Sequence, residues 1–171
     1  MTEPATRTVT PAPPGVGEDD LAFERAFERL EIAGDAFRHE DHVRLGWICL
    51  RRAPLAEAAA RFIRLLKAFA AHQGAPDKYH DTITWAYLLL IQDRLTRMPE
   101  EHEWREFAGR NPDLLEYRPS ILPRYYRDET LDSDRARSGF VMPDAWLDER
   151  HPRGTPPPPA RARAVGGRRR A

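Results

Sequence analysis

Five side chains combine chemically capable types with helical spacing: His39, His42, Tyr79, His80 and Thr84. His39 and His42 stand three residues apart and so share a helix face. His80, Thr84 and Tyr87, at spacings of four and seven, share another. A helix N-terminus and burial both disfavour protonation of an imidazole, and both conditions are expected at His39 and His80. Neutral imidazole is what a metal ligand or a general base requires.

Three chemistries are open to this set. His39, His42 and His80 could form an open three-ligand site for a divalent metal. The spacing H-E-D-H is not the H-E-x-x-H of zinc proteases, and the paired Glu-x-x-His motifs of di-iron bundles are absent. A metal-free pocket could use a histidine as base, with Tyr79, Thr84 or Asp41 orienting a small molecule. The same residues could instead form a satisfied structural network of buried polar groups. Cys49 lies about two turns from His42 in an apolar stripe, so no nucleophile motif is present. Neither G-x-G-x-x-G nor G-K-[ST] occurs, which leaves nucleotide binding unsupported.

The elements that must position these residues are helices. Residues 79–91, Y-H-D-T-I-T-W-A-Y-L-L-L-I, are apolar all round the helical wheel after a polar first turn, as expected of a central, buried helix. Asp77 is its expected N-cap, and Pro99 its stop after Met98. A first helix is expected over 18–30, with Leu21, Phe23, Phe27 and Leu30 on one side, ending in a break at Ala33-Gly34-Asp35. A second covers 39–51, with both histidines on its inward face and Glu40, Arg44 and Arg51 opposite. A third starts at Pro54 and ends before Gly74, with a clean stripe from Leu55 to Phe69. Its Glu57, Arg61, Arg64 and Lys67 are expected to face water. A more polar fifth helix fits 100–109, and residues 112–147 read as a wrapping segment of short helices, one of them near 133–138.

The predicted fold is therefore all-α: a compact bundle of about five helices with a C-terminal wrapping segment and disordered termini. Residues 1–17, rich in Pro, Thr and Gly, are expected to be disordered, 18–150 to form the bundle domain, and 151–171 to be a disordered basic Pro/Arg-rich tail. The loops on either side of the third helix are short, and short loops make sequential helices antiparallel neighbours. The second and central helices then begin at the same pole. His39 and His42 are thereby expected to meet Tyr79 and His80.

Composition narrows the classes. The chain has 171 residues with 27 basic and 27 acidic side chains, a length suited to one domain. Six arginines and no acid fall after Pro152, so the preceding body is mildly acidic. A nucleic-acid-binding body would show a basic face, and none is expected here. No apolar run is long enough to span a membrane, and no secretory signal is read at the N-terminus. One cysteine excludes an internal disulfide framework, and the cytoplasm is the expected compartment.

The segments F-R-H-E-D-H-V-R-L-G-W (37–47), D-K-Y-H-D-T-I-T-W-A (77–86) and F-V-M-P-D (140–144) together resemble an uncharacterised bacterial family of small helical proteins. Its members share patterns close to F-x-H-x-D-H-x-R-x-A-W and K-Y-H-x-T-x-T. Here Gly46 stands where that family usually has alanine, and Asp81 where glutamate is common. The resemblance covers roughly positions 20–147. It implies a helical fold and a shared site but names no reaction.

The expectation is a His-rich polar pocket at one pole of the bundle that binds a small molecule or a divalent metal, with catalysis left open. The alternative is a non-catalytic helical interaction protein, with a homodimer open to it, whose His/Tyr/Thr cluster is structural.

Overall fold

The computed structural model describes residues 15–99 and 103–145. Within them the chain forms eight α-helices and no strand: α1 (Glu18–Glu28), α2 (His39–Arg52), α3 (Leu55–His72), α4 (Asp81–Arg97), α5 (Trp104–Arg110), α6 (Pro112–Leu115), α7 (Asp128–Leu131) and α8 (Asp134–Ser138). Single 3-10 turns cover Pro76–Lys78 and Leu122–Arg124. The all-α bundle with a C-terminal wrap of short helices is thus as expected. Of the stretches read as disordered, 1–14 and 151–171 lie outside the described residues, as do 146–150 of the expected bundle domain and 100–102, where the fifth helix was expected to begin; residues 15–17 instead lead into α1 with Val16 buried in the core. No described helix is long and apolar enough to cross a membrane.

The most enclosed helix is α2, not α4. Val43, Leu45, Gly46, Trp47, Ile48, Cys49 and Leu50 are all buried. α4 leaves Leu89 exposed and half-buries Ile83, Trp85 and Leu90. The reason is Gly46. A Cβ built there would stand 3.0 Å from Ile91 Cδ1, 3.5 Å from Phe62 Cζ and 3.6 Å from Leu88 Cδ1. Lacking that atom, α2 lets α3 and α4 close in on it from two sides.

The first helix docks by charge as much as by apolar contact. Asp20 and Glu24 are buried on α1 along with Phe27. Glu24 pairs with Arg52 and with Arg61, the latter at 3.0 Å, and Arg61 also reaches Glu28 at 2.5 Å. Asp20 takes both Nε and Nη2 of Arg44, at 2.8 and 2.6 Å. Arg44 and Arg61, expected on solvent faces, instead bind α1 to α2 and α3. Removing one partner from such a pair would strand a buried charge, so these contacts fix orientation strongly.

α1 ends earlier than its periodicity suggests. Leu30 adopts φ 59°, Leu30 N–H donates to Phe27 O at 3.0 Å and Glu31 N–H to Ala26 O at 2.9 Å. This is the paired closure of a Schellman motif with leucine in the left-handed position. α3 ends in the same motif at Gly74 (φ 66°), with Gly74 N–H to Ala71 O and Ala75 N–H to Ala70 O. The glycine was legible as a terminator, whereas the leucine carried no such signal. Ser133 caps α8 by accepting the Ala136 N–H at 3.2 Å.

Candidate functional site

The short connections around α3 have the expected consequence. The starts of α2 and α4 and the end of α3 line one open cavity of about 1370 Å³. His39, His42, Tyr79, His80 and Thr84 all line it. The hydrogen bonds then separate these residues into two groups.

His80 is fully used. It is the N-cap of α4, a role expected for Asp77, which instead lies in the preceding 3-10 turn. Its Nδ1 accepts the Ile83 N–H at 3.3 Å, and its Nε2 donates to Leu131 O at 2.9 Å. This places the ring hydrogen on Nε2. Leu131 closes the four-residue helix α7, whose last carbonyls have no partner within the helix. The imidazole therefore ties the wrapping segment to α4.

Thr82 acts beside it, fully buried. Its hydroxyl donates to Gly139 O at 2.7 Å and accepts the Val141 N–H at 3.0 Å. Tyr126 adds a bond to Val141 O at 3.0 Å. Asp144 completes the clasp, accepting the Arg127 N–H at 3.0 Å, Arg127 Nε at 3.1 Å and the Thr130 hydroxyl at 2.5 Å. Burial acts to raise the Asp144 pKa, but the bonds from Thr130 and Arg127 outweigh it and hold the carboxyl below its ordinary range. Thus the motif segments K-Y-H-D-T-I-T and F-V-M-P-D meet at Thr82 and Val141, and each also holds the wrapping segment, His80 through Leu131 and Asp144 through Arg127 and Thr130.

Tyr79 is also committed. Its hydroxyl donates to Asp81 at 2.6 Å, and the Lys67 ammonium sits 4.7 Å from its ring centroid. Burial first, and the Asp81 carboxylate second, push its pKa well above the ordinary phenol value. Tyr79 is thus a poor proton donor or nucleophile at neutral pH.

At the start of α2, Asp41 accepts the Arg38 N–H at 2.8 Å, so it orients the helix end rather than a ligand. Phe37 packs on the His42 ring with centroids 4.1 Å apart. His42 Nδ1 donates to Arg38 O at 2.8 Å. His39 Nε2 donates to Leu114 O at 2.9 Å, meeting a carbonyl at the end of α6. Each of these two rings therefore uses one nitrogen. His39 Nδ1 and His42 Nε2 have no hydrogen-bond partner among the described residues. Burial pushes both imidazoles below their ordinary pKa, and His39 adds to the effect on His42. Both rings are consequently neutral near pH 7, each with a lone pair to offer.

The three-histidine metal site is not formed. Among the described residues no group of three or more His, Cys, Asp or Glu side chains is gathered to hold a metal ion. The physical reason is at His80, whose two nitrogens are both bonded to backbone groups. Cys49 offers no substitute. It is buried, and desolvation with the nearby Glu24 pushes its thiol up to about 12.

The cavity also holds residues outside the five candidates. Tyr87 shares a 3.0 Å hydrogen bond with Ser120 and packs edge-on to His39 at 4.8 Å. Tyr117, 63% exposed, approaches His39 at 5.7 Å. Tyr87 was visible on the His80–Thr84 face. Ser120 and Tyr117 lie in the wrapping segment, where no periodicity announces which residues point inward.

Comparison of the chain with known protein families, with curated proteins and with solved structures finds no match in any of the three.

Proposed function

We propose that this protein binds a small organic molecule in the cavity at the shared pole of α2 and α4, with His39 and His42 as its polar contacts. One observation carries this reading. In the motif segment 37–47, His39 Nδ1 and His42 Nε2 have no partner among the described residues, and their rings line a cavity of about 1370 Å³. Both rings are half-buried and line the open cavity, so a ligand entering it meets two unspent acceptors. The cavity is also large enough for a drug-sized ligand, whose pockets run to roughly 300–1,000 Å³. Neutral imidazoles with lowered pKa can accept a proton from such a ligand, so general-base chemistry is available here.

The test is a fragment titration followed through the imidazole C–H resonances of His39 and His42. Binding should move these two signals in the wild type. Ala70→Trp, which places an indole in the cavity from α3, should abolish the shifts. Shifts confined to other residues, or unchanged in the filled variant, would overturn the proposal.

The interaction-protein reading is favoured by a different feature. Leu89, Phe140 and Met142 are exposed, and Phe140 packs on Trp85 at 6.2 Å. A second copy of the chain would cover such a face. Sedimentation of the wild type against Leu89→Glu tests this: a dimer lost in the variant supports it, and a wild-type monomer excludes self-association.

A further inference from the structure

The chemical class of the ligand can be read from what the cavity presents, given that the cavity is a binding site as proposed above. Its charged lining residues balance. Asp35 and Glu40 oppose Arg38 and Lys78, and all four are exposed at the rim. An ionic ligand would find no excess of opposite charge and would lose hydration against the apolar wall of Phe62, Leu66 and Phe69. Gln73 and Tyr117 offer polar groups from exposed positions at the mouth, whereas the half-buried rings of His39 and His42 each offer an acceptor, Nδ1 and Nε2. They call for donors on the ligand.

The shape is set by rings. His39 stands between Tyr87, edge-on at 4.8 Å, and Tyr117, tilted at 5.7 Å. Phe37 lies against His42 at 4.1 Å and against Phe69 at 4.9 Å. Tyr117 is held beside the cavity with most of its surface uncovered, and the Arg118 guanidinium lies 5.5 Å from its centroid. A wall of aromatic faces and edges favours a flat partner. We infer that the cavity takes a neutral, flat aromatic or heteroaromatic molecule bearing N–H or O–H donors, which are received by His39 and His42.

Indole and benzothiophene test this directly. They are bicycles of nearly the same outline, and only indole has an N–H. Titrations of the full chain are followed by calorimetry, and the two imidazole signals report the site in the wild type. Indole should bind about tenfold more tightly than benzothiophene, the worth of one net hydrogen bond. The preference should shrink in His42→Phe and vanish in the double variant His39→Phe/His42→Phe. His42→Gln, which restores an acceptor, should recover part of it. His42→Phe removes only a local bond to Arg38 and keeps a ring against Phe37, so it carries the test even if the double variant fails to fold. Equal affinity for the two bicycles, or a preference untouched by both variants, overturns the donor requirement while leaving the cavity a ligand site. Binding of other fragments but of neither bicycle overturns the flat aromatic class. Silence of both imidazole signals toward every fragment overturns the inference together with the function it rests on.

Discussion

At the start of α4, both nitrogens of His80 and both bonding directions of the Thr82 hydroxyl are taken up by backbone groups. At the start of α2, His39 and His42 each spend one nitrogen and keep one. The two helix starts face the same cavity and carry the same residue types, yet they divide the work. A histidine with both nitrogens bonded to carbonyl and amide is a brace. One with a single bond is oriented, because the bonded side fixes the tautomer, and is still able to receive a ligand. Counting histidines in a pocket is therefore less informative than counting their unpaired nitrogens.

The comparison breaks most directly in stability measurements. Thr82→Val keeps shape but strands the Gly139 carbonyl and the Val141 N–H, and should cost about 3 kcal/mol in urea unfolding. His80→Ala removes the cap on Ile83 and the partner of Leu131 O, and about 2 kcal/mol should be lost. If either variant unfolds at the wild-type midpoint, the brace does not exist. By contrast, His42→Phe should cost less than about 1 kcal/mol, since one surface bond is lost and the packing on Phe37 is kept. A large loss there would erase the distinction between the two helix starts.

Acid should sharpen the contrast. The folded state holds His39 and His42 below their ordinary pKa of 6.5. Below that pH the unfolded chain takes up protons that the folded chain resists. Stability is then full above about pH 6.5 and declines as the pH falls through the depressed folded values. His42→Phe should flatten this decline in urea titrations between pH 7 and 5; an unchanged slope would show that His42 is not held neutral. At still lower pH the brace itself should fail. The Asp144 carboxyl is held below its ordinary 3.8, so its contribution is present above that value and disappears as the pH falls through the folded one. Asp144→Asn, which forfeits the charge-assisted bonds from Arg127 and Thr130, should remove that last acid-sensitive step.

Much of the frame was readable from local pattern. The α3 stripe, the Gly74 stop, the short helix near 133–138 and the antiparallel order follow from periodicity, backbone preference and loop length, which act over a few residues. Chain direction alone brought the five candidate side chains to one cavity. The errors share a different character. Asp77 had the right type for a cap but fell in a 3-10 turn, and His80 took the place. Arg44 and Arg61 had solvent-like positions on their own wheels, but α1 carries carboxylates that reach them. In each case the deciding partner came from another part of the chain.

The same holds for the site. Residue types and helical spacing determined that imidazoles from two helices would share a pole, because those constraints are local and directional. Which imidazole nitrogens remained open was decided only by tertiary structure. The carbonyls that occupy His39 and His80 come from Leu114 and Leu131, 75 and 51 residues away. Short helices laid across the bundle end where their unpaired carbonyls meet a donor, and no pattern around either histidine records where that will be.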